Sequence, residues 1–220
     1  MMKIRTAHTP MPLLALLVFL MASCSSEDTS TVLELENSET ATPSESTTVS
    51  DLLPHQKMSK DFLRELIAID TTHSTGNTTN AANAMAAHLI AAGFPEEDTL
   101  VLGPVANKGN LVVRYRGRDI SRKPLLLLAH LDVVEADPAD WTLDPFTLTE
   151  QDGYYYGRGT TDDKDEAAIH TANLIRLKQE GFLPDRDIIV ALTADEEGGV
   201  DNGVVWLLKH HRDLIDAEYA

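Results

Sequence analysis

The stretch Pro124-Leu-Leu-Leu-Leu-Ala-His-Leu-Asp132 constrains the fold of this chain more than any other. Leu125 to Leu128 form an unbroken apolar run, led in by Pro124. A short run of that kind suits a strand buried on both faces, as in the parallel sheet of an α/β protein. It ends in His130 and Asp132, and on a strand that spacing puts both side chains on one face. The carboxyl end of a buried strand is where open α/β sheets hold their ligands. There a carboxylate can take the proton of one ring nitrogen, set the tautomer and turn the other nitrogen toward a metal. A capped strand end beside a solvated acid is the plainer alternative, and the rest of the chain bears on that choice.

Charge narrows the partners. The chain has 220 residues, with 18 Lys plus Arg against 35 Asp plus Glu, a formal net charge of -17. Phosphate backbones would be repelled, which argues against nucleic acid. Clustered carboxylates remain available to divalent cations. The single cysteine, Cys24, allows no internal disulfide.

Lys3 and Arg5 open the chain, and Met11 to Met21 is apolar apart from Pro12. That core is shorter than the ~20 residues a bilayer span requires, and it suits a secretory signal. Met21-Ala22-Ser23-Cys24 resembles the bacterial lipoprotein signal, with methionine where leucine is usual. The resemblance implies a signal over 1–23, lipid on Cys24 and a location in the bacterial cell envelope. Residues 24–50 are rich in Ser, Thr and Glu, with no Lys, Arg or aromatic residue. They cannot bury enough apolar surface to offset chain ordering and are expected to form a disordered tether. The folded body is expected over 51–220.

Phe62, Leu63, Leu66 and Ile67 predict a helix over Met58 to Ile69. An Ala-rich helix over Thr79 to Ala92 follows, stopped by Gly93. Thr99 to Leu102 and Asn110 to Tyr115 read as strands. Asp163 to Glu180 reads as a helix, Asp187 to Thr193 as a second buried strand, and Asn202 to His211 as a last helix. Helices and strands in this order indicate a mixed α/β sheet. His88 is assigned to packing or surface and His170 to the surface of its helix, and His210 and His211, being adjacent, diverge on a helix.

Gly157-Arg-Gly-Thr-Thr-Asp-Asp-Lys164 permits a close backbone approach, but a third glycine and a preceding βαβ strand are missing, so it is no nucleotide loop. It brings Asp162 to a helix start, where an N-cap is the ordinary role of aspartate. The strand ending at Thr193 runs into Ala194-Asp-Glu-Glu-Gly-Gly199. Consecutive acids at the end of an apolar strand repel one another unless a cation is near. His130, Asp132, Asp162, Glu196 and Glu197, all at strand ends or the adjoining turn, can converge on one crevice.

Ala-His130-Leu-Asp132, Gly-Arg-Gly-Thr-Thr-Asp162-Asp-Lys and Asp-Glu196-Glu197-Gly-Gly, in that order, resemble one family of zinc exopeptidases and deacylases. It includes carboxypeptidase G, aminoacylase, succinyl-diaminopimelate desuccinylase and acetylornithine deacetylase. The resemblance implies a three-layer α/β fold, a mixed and mostly parallel sheet flanked by helices. It implies two zinc ions, with Co2+ or Mn2+ as substitutes: His130 on one, Glu197 on the other and Asp162 bridging. Asp132 would orient His130, Glu196 would act as general base, and the peptide after Asp162 would be cis. Asp165 stands where the family usually has glycine, which bears on the helix start. The implied activity is hydrolysis of amide bonds in small peptides, with N-acyl amino acids as the alternative substrate. A catalytically inactive, metal-binding or interacting remnant is the third reading. The family's next acidic ligand, its last histidine and its lid domain, which often forms a homodimer, are expected past Ala220. Asp213, Asp216 and Glu218 come too early to replace that acid.

Overall fold

The computed structural model describes residues 52–220. The expected signal over 1–23, Cys24 and the tether to Ser50 lie outside the described residues. Helix α1 (Pro54–Ala68) starts before the apolar repeat does, because Pro54 at its first position needs no N–H there. Gln56 closes that end by accepting from the Leu53 amide at 2.9 Å. The buried face of α1 is Phe62, Leu63, Leu66 and Ile67. Helix α2 (Thr78–Ala91) is capped by Asn77, whose side chain accepts from the Asn80 amide at 3.1 Å.

Strands β1 (Thr99–Leu102), β2 (Asn110–Tyr115) and β3 (Leu125–His130) come next, β1 and β2 with the expected bounds. A small hairpin, β4 (Thr149–Gln151) and β5 (Tyr154–Tyr156), was not anticipated. Its two-residue turn places Asp152 at φ 54° and Gly153 at φ 81°, the left-handed pair that Asp-Gly favours. Helix α3 (Lys164–Gln179), strand β6 (Ile188–Thr193) and helices α4 (Gly203–His210) and α5 (Arg212–Ile215) complete the order. Asp165 does not disturb the start of α3, where an acid in the first turn suits the helix dipole.

The main sheet has the order β1-β2-β6-β3. β2 runs antiparallel to both neighbours, and β3 lies parallel to β6, so three of the four strands point the same way. Alternate residues of the strands face two layers. Leu111, Val113, Val190 and Leu192 join α1, α2 and α3 in the larger core. Val112, Ile189 and Ala191 meet Leu207 of α4 and Ile215 of α5 on the other face. The three-layer expectation holds.

The leucine run is not buried on both faces, contrary to expectation. β3 is the edge strand, and Leu128 is 42% exposed. Among the described residues its outer side meets one pairing, Leu125 with Tyr219. Short α4 and α5 lie against Leu126 but leave Leu128 open. No described helix is long and apolar enough to cross a membrane.

Candidate metal centre

His130 closes β3 and sits opposite Thr193, which closes the parallel β6. Parallel neighbours bring their carboxyl ends to one edge of the sheet, so the turns that leave them adjoin. The turn before α3 reaches the same edge: the Asp163 carboxylate accepts from the His130 backbone amide at 3.1 Å. The Asp162–Asp163 peptide is cis, as the resemblance implied. Asp163 is the residue preceding α3, so Asp162 is not an N-cap.

His130 is buried, and its Nδ1 lies 3.0 Å from the Asp132 carbonyl oxygen. A carbonyl can only accept, so Nδ1 carries the hydrogen and Nε2 turns toward the crevice. Nε2 is 2.9 Å from Asp162 Oδ1 and 3.8 Å from Glu196 Oε2. A bare nitrogen lone pair that close to a carboxylate is repelled, so a proton or a metal cation has to lie between them. Burial lowers the affinity of the ring for a proton. The bond to Asp132 and the charges of Asp132, Asp163 and Glu196 outweigh that and hold its pKa above the ordinary value. Burial and the nearby Asp162 charge push the Glu197 carboxyl upward, with His130 opposing. One ligand atom each from His130, Asp162 and Glu197 lies within 4.8 Å of the others. Nitrogen and carboxylate donors at that separation suit a divalent cation such as zinc.

Asp132 acts differently from the expectation. Its backbone carbonyl, not its carboxylate, holds Nδ1; the carboxylate is 3.7 Å from that nitrogen. The buried carboxylate accepts instead from the amides of Glu196, at 3.1 Å, and Glu197, at 3.0 Å. The chain leaves strand geometry after His130, so the period-two rule no longer governs where the Asp132 side chain points. Glu196 itself is 55% exposed at the rim.

The loop between α1 and α2 walls the site. Asp70 accepts from the Thr72 amide and hydroxyl and from the Thr75 hydroxyl, at 2.7–2.9 Å. Burial raises the Asp70 carboxyl, and those bonds outweigh it, leaving its pKa below the ordinary value. The Val133 amide donates to Thr71 O at 3.2 Å, and Glu135 accepts from Ser74. The Arg158 guanidinium stacks 5.1 Å from the Trp141 ring, and its amide donates to Pro145 O. The tryptophan loop is thereby tied to the Gly-Arg-Gly turn.

Three buried groups were missed. Lys164 is fully buried and donates to Leu66 O and Ile69 O at 2.8 and 2.9 Å. Burial pulls its pKa down to about 7, against Asp70 and Asp132. Lys108 and Asp195 pair at 2.5 Å. No local pattern marks these groups, since each partner is remote in sequence. His170 is half-buried rather than on the surface, because α3 is covered along both flanks by α1 and the sheet. Among the later acids, Asp216 pairs with Lys123 and Glu218 with Arg186, while the Asp213 carbonyl accepts from Arg114. None joins the cluster of three.

Comparison with known proteins agrees with this geometry. Residues 126–220 match the profile of peptidase family M20/M25/M40. The N-fatty-acyl-amino acid synthase/hydrolase of Mus musculus is 34% identical over 151 residues, covering 66% of this chain and 29% of that protein. A probable carboxypeptidase S-like protein of Dictyostelium discoideum is 40% identical over 112 residues, covering 50% of this chain and 21% of that protein. The chain thus spans less than a third of the length of these relatives. A metallo-carboxypeptidase of Sulfolobus solfataricus superposes with a TM-score of 0.60 at 19% identity, over 73% of this chain and 36% of that one, and so shares the fold. Across residues 126–220, the chain is thus similar to peptidase family M20/M25/M40.

Proposed function

We propose that this chain carries the metal-holding part of a zinc-dependent hydrolase that splits amide bonds in small peptides. The observation that carries the reading is the convergence of His130, Asp162 and Glu197 beside the exposed Glu196. His130 and Glu197 would each hold one ion, with Asp162 shared between the two. Bound zinc supplies Lewis acidity, polarising a carbonyl and easing ionisation of water. The chain's own residues do the rest. Asp132 fixes the His130 tautomer through its carbonyl and sets the Glu196–Glu197 backbone through its carboxylate. Glu196 takes a proton from the attacking water and hands it to the departing amine, so the C–N bond breaks as the C–O bond forms. At the rim, its carboxylate is free to reach a substrate.

A second reading, hydrolysis of N-acyl amino acids, is supported by the similarity to the mouse N-fatty-acyl-amino acid synthase/hydrolase. Both reactions cleave an amide, and they differ in what lies on the acyl side. Dipeptides and N-acyl amino acids assayed side by side on zinc-loaded protein separate them. Cleavage of dipeptides alone supports the first reading, cleavage of acyl amino acids alone the second. No cleavage of either, with zinc bound, would overturn both.

Attachment of lipid at Cys24 is proposed from Met21-Ala-Ser-Cys24 and the apolar segment before it. Cys24→Ala is expected to move the protein from the membrane fraction to the soluble fraction of a bacterial host. A wild-type protein already soluble would overturn this.

A further inference from the structure

We infer that the buried Lys108–Asp195 ion pair is a positioning clamp that aims Glu196 and Glu197 into the site. The inference rests on the proposed role of those two glutamates and extends it to residues that touch neither metal nor substrate.

The turn after β6 leaves an apolar strand and must project two acids in one direction. Its backbone is held at several points. Asn110 Oδ1 accepts from the Ala194 amide at 2.9 Å, Asn202 donates to the Asp195 carbonyl at 3.1 Å, and Asp132 accepts from both glutamate amides. Between these anchors, Asp195 stands at φ 56°, a left-handed conformation that L-residues other than glycine seldom adopt. That conformation sets the direction in which Glu196 and Glu197 depart.

Asp195 is 2% exposed, and Lys108, from the loop between β1 and β2, is 5% exposed. A buried carboxylate without its cation is strongly disfavoured; the exposed His73 ring is 3.7 Å from the same oxygen, so Lys108, buried and at 2.5 Å, bears most on whether Asp195 stays where it is. Its Nζ also lies 3.5 Å from the His73 carbonyl, linking this turn to the α1–α2 loop. The chain then folds back over the pair: a Cβ on Gly199 would come within 2.5 Å of Asp195 Oδ2. The side chains of Glu196 and Glu197 make no hydrogen bond among the described residues, so their aim depends on the backbone beneath them. Without the clamp, Asp195 can relax to negative φ, rotating the next peptide and withdrawing both amides from Asp132.

Amide hydrogen exchange at Glu196 and Glu197, read by NMR without metal, tests this in the full chain. Zinc titration by calorimetry follows on the same samples. Lys108→Met is expected to speed exchange at these two amides by at least ~10-fold, while α2 amides stay as in the wild type. Zinc should bind ~10-fold or more weakly, the scale of losing an outer partner of a metal ligand. Lys108→Arg should recover most of both effects. Asp195→Asn keeps the side-chain shape and tolerates left-handed backbone; it should show the same two changes should Lys108→Met fail to fold. Leu89→Ala, a core change in α2, should lower the melting temperature without singling out these amides. Wild-type exchange in Lys108→Met, or equal acceleration in Leu89→Ala, would overturn the clamp. A wild-type chain that takes up no zinc, with the exchange pattern intact, would sink the functional reading and leave the clamp standing.

Discussion

Glu196 and Glu197 are neighbours with different surroundings. Glu197 belongs to the cluster with His130 and Asp162, while Glu196 is more exposed and 3.8 Å from the His130 ring. A carboxylate that holds metal and one that moves a proton should respond differently to the same isosteric change. In a protein that also carries the ligands expected past Ala220, Glu196→Gln is expected to lower turnover ~10²–10⁴-fold, the usual share of general-base catalysis, with zinc content unchanged. Paired turnover and metal analysis checks this. Loss of metal in that variant would mean that the two glutamates have exchanged roles.

At the scale of elements, α1 and α3 are joined by a cation rather than by apolar contact alone. At the C-terminal end of α1, Leu66 O accepts from the Ile69 amide as well as from Lys164 of the first turn of α3, while the Ile69 carbonyl is bonded by Lys164. Lys164→Met keeps the stem but leaves the Ile69 carbonyl unbonded and takes one of two donors from Leu66 O. It should destabilise the fold by ~1–3 kcal/mol in urea unfolding. His170, on the same helix, bears on pH. Burial holds its pKa below the ordinary value against the opposing charge of Glu166. Between the folded pKa and the unfolded value near ~6.5, the unfolded chain binds more protons. The stability from neutral His170 is therefore complete above ~6.5 and is lost as pH falls through the folded value. His170→Gln should make the melting temperature fall less than that of the wild type between about pH 7 and pH 5. Parallel melting curves at the two pH values decide it.

Across the whole molecule, the two faces of the sheet carry unequal loads. The face under α1–α3 holds the larger core, with Leu66 fully buried, whereas Leu128 on the edge strand is 42% exposed. Leu66→Ala should cost ~2–5 kcal/mol through lost burial and a cavity. Leu128→Ala should cost less, about 1 kcal/mol, because 42% of its surface stays in water in the folded chain. Comparable losses in denaturant unfolding would mean that Leu128 is covered in solution by something outside residues 52–220.

Local order was legible in the residues themselves. Periodicity and turn residues set β1 and β2 at their observed bounds and placed the other main elements to within a few residues. Such signals arise between positions close in the chain, where backbone geometry repeats. Element ends marked in the sequence brought His130, Asp132, Asp162, Glu196 and Glu197 toward one crevice, and the motif resemblance singled out His130, Asp162 and Glu197 as the ligands. Tertiary structure alone decided the rest. It put the leucine run of β3 at an edge, since strand order depends on which elements pair and not on any one strand. It gave the Asp132 carboxylate to two backbone amides instead of the imidazole. It paired Lys108 with Asp195 across 87 positions and Lys164 with Leu66 across 98. A buried charge takes whatever partner the finished fold brings within reach, and no local pattern in the chain encodes that meeting.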